Sequence, residues 1–129
     1  MKLKTLVFTL LLGCAPLLQA SELGTTAYVT LRPALTGNFV SEGVRLNVYR
    51  AEISLRVTSN NVDRVEYHEA LIRDQLVSLF AQQTEESFTT TEGKDQLRRR
   101  ALQSVQTALE REEGEILVSD LLYNNLVIR

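Results

Sequence analysis

Hydrophobic residues alternate with polar ones in three segments of the chain, as expected for β-strands that bury one face. These segments are residues 27–31, 44–58 and 116–128. In the longest of them the phase of the alternation changes near Tyr49, which predicts either a β-bulge near that residue or two strands that meet there. Clusters of turn-forming residues at 36–38 and 41–43 separate the first two segments.

Two other segments repeat their hydrophobic residues every three or four positions, which predicts amphipathic helices. The first covers residues 64–82, with Asp63 as the predicted N-cap of a capping box. The second follows a predicted polar loop at 83–91, has Thr91 as its predicted N-cap, and stops before Gly114. This order of elements predicts a small α+β domain in which two amphipathic helices lie on a β-sheet, and it leaves the strand order open.

The first 20 residues have the layout of a secretory signal peptide, because two lysines precede a short apolar run. Cleavage is predicted between Ala20 and Ser21. The run is shorter than the roughly 20 residues of an ordinary membrane helix. Cys14 ends a segment that resembles a lipoprotein cleavage box, so it is a candidate lipidation site, and a short uncleaved anchor is a third interpretation. All three place residues 21–129 outside the cytoplasm.

Charge and cysteine content exclude several classes of function for residues 21–129. Loss of Lys2 and Lys4 with the leader leaves 12 basic and 16 acidic residues, a net charge of −4. An acidic domain is poorly suited to nucleic acid, and three consecutive arginines at 98–100 point in different directions on a helix. Without cysteine, this part of the chain has neither a disulfide nor a thiol nucleophile.

No combination of residues predicts a catalytic, cofactor-binding or metal site. Gly93-Lys94 lacks the spacing of a phosphate-binding loop, and Asp95 follows it, where a carboxylate would repel phosphate. His68 is the single histidine and is predicted to be a half-exposed helix residue without a metal-ligand partner. Two acidic pairs are predicted to be exposed, at Glu85-Glu86 and Glu112-Glu113. The residues therefore favour a non-enzymatic domain that binds other proteins.

Several short motifs together resemble the FliL family of flagellar basal body-associated proteins. Residues 90–97 follow the pattern Thr-x-x-Gly-Lys-x-x-Leu, in which Gly-Lys opens a long amphipathic helix. An entry strand with the pattern Tyr-x-x-Leu-x-Pro at 28–33, an Ile-Arg-Asp triplet and the closing Leu-Val-Ile at 126–128 also resemble the family. The motif positions carried over are Asn38, Ile72, Arg73, Asp74, Gly93, Lys94 and Leu97.

The resemblance implies a stomatin-like (SPFH-like) domain at residues 21–129, located in the periplasm at the inner membrane and the flagellar basal body. It implies contacts with the flagellar stator proteins and with other copies of the chain in a ring or arc, in support of swimming and swarming. It implies no cofactor and no enzymatic activity. Arg73, Lys94 and the arginine run are candidates for polar contacts. The alternative is a soluble or lipid-anchored periplasmic binding module that shares the fold and is unrelated to motility.

Overall fold

The computed structural model describes residues 24–41 and 45–129, which form an α+β domain as predicted. Cys14, Ala20 and Ser21 lie outside the described residues, as do residues 42 and 43 of the second predicted turn. The elements in chain order are β1 (Thr26–Thr30), β2 (Leu35–Ser41), β3 (Arg45–Thr58), a 3₁₀ turn (Ser59–Asn61), α1 (Val62–Tyr67), α2 (Glu69–Ala81), α3 (Glu86–Thr89), α4 (Thr91–Glu113) and β4 (Val118–Ile128).

The described strands form one antiparallel sheet with β3 at its centre. Along one side of β3, β2 pairs with its first half and β1 with its second half, in registers such as Leu35 with Ala51 and Val29 with Leu55. Along the other side, β4 pairs with β3 from Tyr49 onward. The long strand at the centre therefore joins all the others into a sheet only three strands wide.

Strand β3 is continuous, so the prediction that two strands meet at Tyr49 is wrong, and no bulge lies at Tyr49 itself. Its pairing with β2 runs without a shift through Tyr49. The irregularities lie in the pairing with β4 instead, between Glu52 and Ile53 and between Arg56 and Val57. The phase change has a different cause: alternate residues from Tyr49 to Val57 are buried, whereas the earlier hydrophobic residues Leu46 and Val48 point to the opposite face and are exposed.

The cluster at residues 36–38 was predicted to be a turn, and this prediction is wrong because these residues lie within β2. Gly37 is paired with Tyr49 across the two strands. A Cβ atom at residue 37 would lie only 2.8 Å from carbon atoms of the Tyr49 ring. The glycine is thus explained by the aromatic ring that packs over it, a long-range contact that short-range composition cannot show.

The first predicted helix is interrupted, and its predicted capping box is absent. His68 has φ −97° and ψ 18°, which separates α1 from α2. Asp63 lies inside the first turn of α1, whose N-cap is Asn61, and no side chain caps this helix. The 3₁₀ turn after β3 leads directly into α1, so the backbone is already helical where α1 begins.

The predicted polar loop contains the short helix α3, because the side chain of Phe88 is buried in the core. The N-cap of α4 is Thr90, one residue before the predicted one: its hydroxyl oxygen accepts a hydrogen bond from the Gly93 amide at 3.0 Å. Gly114 ends α4 with φ 77°, the left-handed conformation that favours glycine, as predicted.

The helices cover one face of the sheet, and the core lies between the two layers. Helix α2 packs against β2, and α4 packs against β4. Four aromatic rings meet at the centre with centroid distances from 4.6 to 5.9 Å, namely Phe39, Tyr49, Phe80 and Phe88. Burial of each such side chain stabilises the fold by about 1.5–3 kcal/mol relative to exposure. No helix covers the second face of the sheet in the described chain, so this face is open.

Candidate protein-contact surfaces

The open face of the sheet carries a group of exposed hydrophobic side chains, here called the sheet patch: Val40, Leu46, Val48 and Val127. Val40 and Leu46 are directly paired across β2 and β3, and both are more than 60% exposed. Val48 pairs through its backbone with Arg129, two residues from Val127. Because cross-strand neighbours on one face lie within contact distance, these four side chains form a continuous apolar surface.

Arginines border the sheet patch. Arg50 and Arg129 line a concavity of about 390 Å³ together with Val48 and Val127. Arg50 is paired with Glu52 at 2.9 Å on the same face. Arg129 has no ion pair among the described residues. Arg129 therefore gives the edge of the patch one unpaired positive charge, although the chain as a whole is acidic.

A second exposed surface lies on the outer side of α1 and α2, here called the helix stripe: Tyr67, Ala70, Asp74, Val77 and Ala81. Tyr67 is 83% exposed and Val77 is 39% exposed. Three other residues of α2, Ile72, Leu76 and Phe80, are fully buried against the sheet and fix the orientation of the helix. The helix stripe therefore faces away from the sheet, on the opposite side of the domain from the sheet patch.

A partly buried cluster of charged and polar side chains ties the break between α1 and α2 to the end of α4. His68 Nε2 lies 2.8 Å from Glu113 Oε1, and Arg64 donates to Glu113 Oε2 at 2.9 Å and also to Glu115. The hydrogen bond from His68, followed by that from Arg64, holds the pKa of the Glu113 carboxyl below its usual value. His68 and Glu113 were predicted to be half-exposed and exposed, and both are better covered than that.

Nothing in the sequence indicates this cluster, because its members are 45 to 51 residues apart. The hydrogen bonds of the cluster join α1 and the residue between α1 and α2 to the end of α4. The arrangement holds α1 and α2 in the orientation that displays the helix stripe. This is the main electrostatic contact that sequence reasoning missed.

The three consecutive arginines have separate roles. Arg98 bridges α4 to β4 through Asp120 at 2.8 Å and also bonds to Asp95. Arg99 pairs with Asp95, which lies one helical turn away. These hydrogen bonds, the one from Arg99 first, lower the pKa of the Asp95 carboxyl. Two of the three arginines are therefore paired with carboxylates within the fold.

Two tyrosine hydroxyls are buried, and neither has a hydrogen-bond partner in the described part of the chain: those of Tyr49 and Tyr123. Burial raises the pKa of both groups. Within residues 24–41 and 45–129, no three His, Cys, Asp or Glu side chains converge as metal ligands. None of the helices described is both long and apolar enough to cross a membrane.

The model of one protein family, described as flagellar basal body-associated protein FliL, matches residues 28–128. The chain belongs to the FliL family. The resemblance inferred from the motifs is thus confirmed, and the chain is a member of a family of proteins associated with the flagellar basal body. No individual curated protein matches it.

The FliL motif at the start of α4 lies where two segments of backbone come close together. Gly93 follows the cap residue Thr90, and a Cβ at residue 93 would lie 2.7 Å from the Thr90 hydroxyl and closer still to the Glu86 carbonyl oxygen. Leu97, one turn later, is buried in the core. Lys94 is half-buried in the first turn. In this FliL domain, glycine allows α3 to pack tightly against the first turn of α4.

The remaining motif positions are divided between the core and the surface. Ile72 is fully buried, and Arg73 donates to the backbone carbonyl of Pro33 at 2.7 Å, which holds the β1–β2 connection against α2. Asp74 is exposed in the helix stripe. Asn38 is exposed beside the sheet patch, directly opposite Val48. The two exposed motif residues therefore lie on the two candidate contact surfaces.

Proposed function

We propose that this FliL-family chain is a non-enzymatic accessory of the flagellar motor that acts through protein–protein contacts. The match to the FliL family over residues 28–128 carries the proposal. In this proposal residues 1–20 act as a signal peptide or a short anchor, with cleavage at Ala20-Ser21 or lipidation at Cys14. Residues 21–129 then lie in the periplasm, at the inner membrane beside the basal body.

The proposed mechanism is scaffolding. Several copies, each with a stomatin-like fold, assemble into a ring or arc that contacts the stator proteins and supports swimming and swarming. The two exposed apolar surfaces support this mechanism, since contiguous exposed hydrophobic residues with a polar rim are typical of protein–protein contact sites. Both surfaces are presented by rigid elements, a sheet and a helix, which is a suitable basis for a scaffold.

Localisation in living flagellated cells tests the proposal. A fluorescent protein that folds in the periplasm is fused after Arg129, and residues 1–23 fused to the same protein serve as the export control. We expect foci of the full fusion at flagellar bases, loss of these foci when the stator genes are deleted, and an even envelope signal from the control. Deletion of the gene should reduce swimming or swarming, and the unfused chain should restore it.

An even envelope signal from the full fusion, with motility unaffected by the deletion, would contradict the motor role. That result would favour the alternative function, a periplasmic binding module that shares the FliL fold and is unrelated to motility. Foci at flagellar bases that persist without the stator would retain the basal-body association and remove the stator from the list of required partners.

A further inference from the structure

Strand β2 presents a free edge of the sheet. Its seven residues, Leu35–Ser41, pair with β3 along one side without a register shift. Along the other side, no backbone or side-chain group of the described chain forms a hydrogen bond with the outward N–H and C=O groups of β2. A strand edge of this kind is a template to which another extended segment can be added.

The other outer strands of the described sheet are shorter or partly covered. Strand β1 is only five residues long. At β4, Gln106 of α4 donates to the carbonyl oxygen of Val118 at 2.8 Å, and Arg98 donates to the Asp120 carboxylate. Strand β2 has none of the features that normally prevent pairing at an edge, because it contains no charged residue, no proline and no bulge. Its edge is therefore the most accessible one for an added strand.

A concavity of about 380 Å³ lies at the C-terminal end of this edge, between β2 and α3. Its lining consists of six residues: Val40, Ser41, Thr84, Glu85, Glu86 and Thr89. The buried ring of Phe88 anchors α3 in the core, and the hydroxyls of Thr89 and Thr90 donate to the carbonyl oxygens of Glu85 and Glu86. These contacts hold α3, and with it the wall of the concavity, in a fixed position beside the strand.

The charge of the lining determines which kind of partner fits. Glu85 and Glu86 are exposed, and neither carboxylate forms an ion pair in the described chain. Arg45 pairs with Ser41 across β3 and β2, but it does not line the concavity, and no lining residue is basic. The hydroxyl oxygens of Ser41 and Thr84 can accept hydrogen bonds from a cationic group. A lysine or arginine side chain therefore fits here, whereas an acidic one is repelled.

We propose that an extended basic segment of a partner protein adds a strand to the free edge of β2 and places a lysine or arginine side chain in the concavity. Backbone hydrogen bonds align the segment, and ion pairs with Glu85 and Glu86 select its charge. The next side chain of the added strand points to the open face, where Val40 is 62% exposed and offers an apolar contact.

The occupant is a different protein rather than a second β2, because β2 is uncharged and lacks the basic group that the concavity selects. This binding site goes beyond the motor role proposed above and does not depend on it, since it requires only the folded domain.

The experiment uses the full chain, exported by a bacterial host, isotope-labelled and purified in a neutral mild detergent. The probe is a synthetic peptide that alternates arginine with valine and matches the seven residues of β2 in length. One control peptide has glutamate in place of arginine, and a second has proline in place of two valines, which prevents a continuous ladder of hydrogen bonds. NMR titration gives the dissociation constant and identifies the amides that the peptide affects, and hydrogen exchange reports on the amides of β2.

Two variants with the same change of charge separate this site from general attraction of a basic peptide to an acidic protein. Glu85→Gln with Glu86→Gln removes the carboxylates of the concavity. The matched control, Glu110→Gln with Glu112→Gln, removes two exposed carboxylates near the end of α4. A further variant, Val40→Lys, places a repelling cation at the edge and leaves α3 unchanged. Far-UV circular dichroism with a melting curve shows whether each variant is folded.

We expect the arginine peptide to shift the amide signals of β2 and α3 and to slow hydrogen exchange in β2. The concavity variant and Val40→Lys should each bind this peptide at least about tenfold more weakly, whereas the α4 control should change the dissociation constant by less than about twofold. The glutamate and proline peptides should bind the wild type at least about tenfold more weakly than the arginine peptide, because one has the wrong charge and the other cannot form the ladder.

Three results would overturn the proposal: no binding of the arginine peptide at millimolar concentration, equal weakening by the concavity variant and the α4 control, or shifts that leave β2 unaffected. Protection of the β2 amides that rises with protein concentration in the absence of peptide would overturn it as well and assign the edge to a second copy. If the concavity variant fails to fold, Val40→Lys decides the test. The localisation experiment is independent, because absence of foci would remove the motor role and leave this binding site intact.

Discussion

Replacement of Gly93 by alanine places two physical effects in direct opposition. Residue 93 lies in the first turn of α4, where alanine is a better helix former than glycine by about 1 kcal/mol. Helix propensity alone therefore predicts a more stable protein. The structure predicts the reverse, because an added Cβ would lie 2.8 Å from the carbonyl carbon of Glu86 and 2.7 Å from the Thr90 hydroxyl oxygen.

The size of the expected loss of stability depends on which atoms the added Cβ would displace. The Glu86 carbonyl is backbone and accepts hydrogen bonds from both the amide and the hydroxyl of Thr90, at 3.1 and 3.0 Å. Forcing atoms into such a packed site costs about 1–3 kcal/mol. Loss of the Thr90 cap adds about 1 kcal/mol. After subtraction of the gain in propensity, we expect Gly93→Ala to lower the free energy of unfolding by about 2 kcal/mol.

Thermal and urea unfolding of the purified protein measure this effect. A loss of that size corresponds to a melting temperature lower by about 10 °C in a domain of this length. Gln96→Ala is the matched control, because Gln96 is exposed in the same helix and its replacement should change stability by less than about 0.5 kcal/mol. If Gly93→Ala raised the melting temperature, the close approach of α3 to α4 would not be the reason for glycine at this position.

Four further substitutions test separate features of the fold. Since the hydrogen bonds from His68 and Arg64 lower the pKa of the Glu113 carboxyl from its usual 4.5, its contribution to stability is present above that pH and is lost as the pH falls through the lowered value. Glu113→Gln should therefore flatten the loss of stability below about pH 4.5 in acid unfolding curves. Arg98→Ala should cost about 1 kcal/mol in urea unfolding, because Arg98 bridges α4 to β4, whereas Arg99→Ala, which breaks a pair within α4, should cost less than about 0.5 kcal/mol. Lys94→Ala should change the melting temperature little and leave swarming unaffected.

Sequence patterns correctly predicted the elements in which hydrophobic residues recur because one face of the element is buried. The residues of α4 that recur every four positions, Leu97, Ala101, Val105 and Leu109, are all buried, and Gly114 ends the helix as predicted. The alternate residues of β3 from Tyr49 onward are buried in the same way. In both elements, the residues that face the core recur with the period of the strand or helix itself. The sequence pattern is therefore sufficient to predict these elements.

The predictions failed where a residue's environment comes from a distant part of the chain. Thr36, Gly37 and Asn38 have the composition of a turn, but they are paired with residues 48–50 of β3, and the ring of Tyr49 packs over Gly37. The break at His68 is held by Glu113 at the far end of α4. No short-range rule encodes these contacts, and the same limit applies to the strand order and to the opposite placement of the two candidate surfaces.

The FliL motif positions provide a further argument about these surfaces. The buried residues Ile72 and Leu97, the tightly packed Gly93 and the bonded Arg73 all have roles within one copy of the fold. Asn38 and Asp74 have none in the described chain, since both are exposed and neither forms a side-chain hydrogen bond or ion pair there.

Each of these two residues nevertheless lies on a different candidate surface, Asn38 opposite Val48 in the sheet and Asp74 in the helix stripe. If their role is in the contact between copies, Asn38→Ala and Asp74→Ala should change the free energy of unfolding by less than about 0.5 kcal/mol and still weaken self-association in sedimentation. Substitutions that reduced stability and left association intact would instead assign both residues to the fold of the single copy.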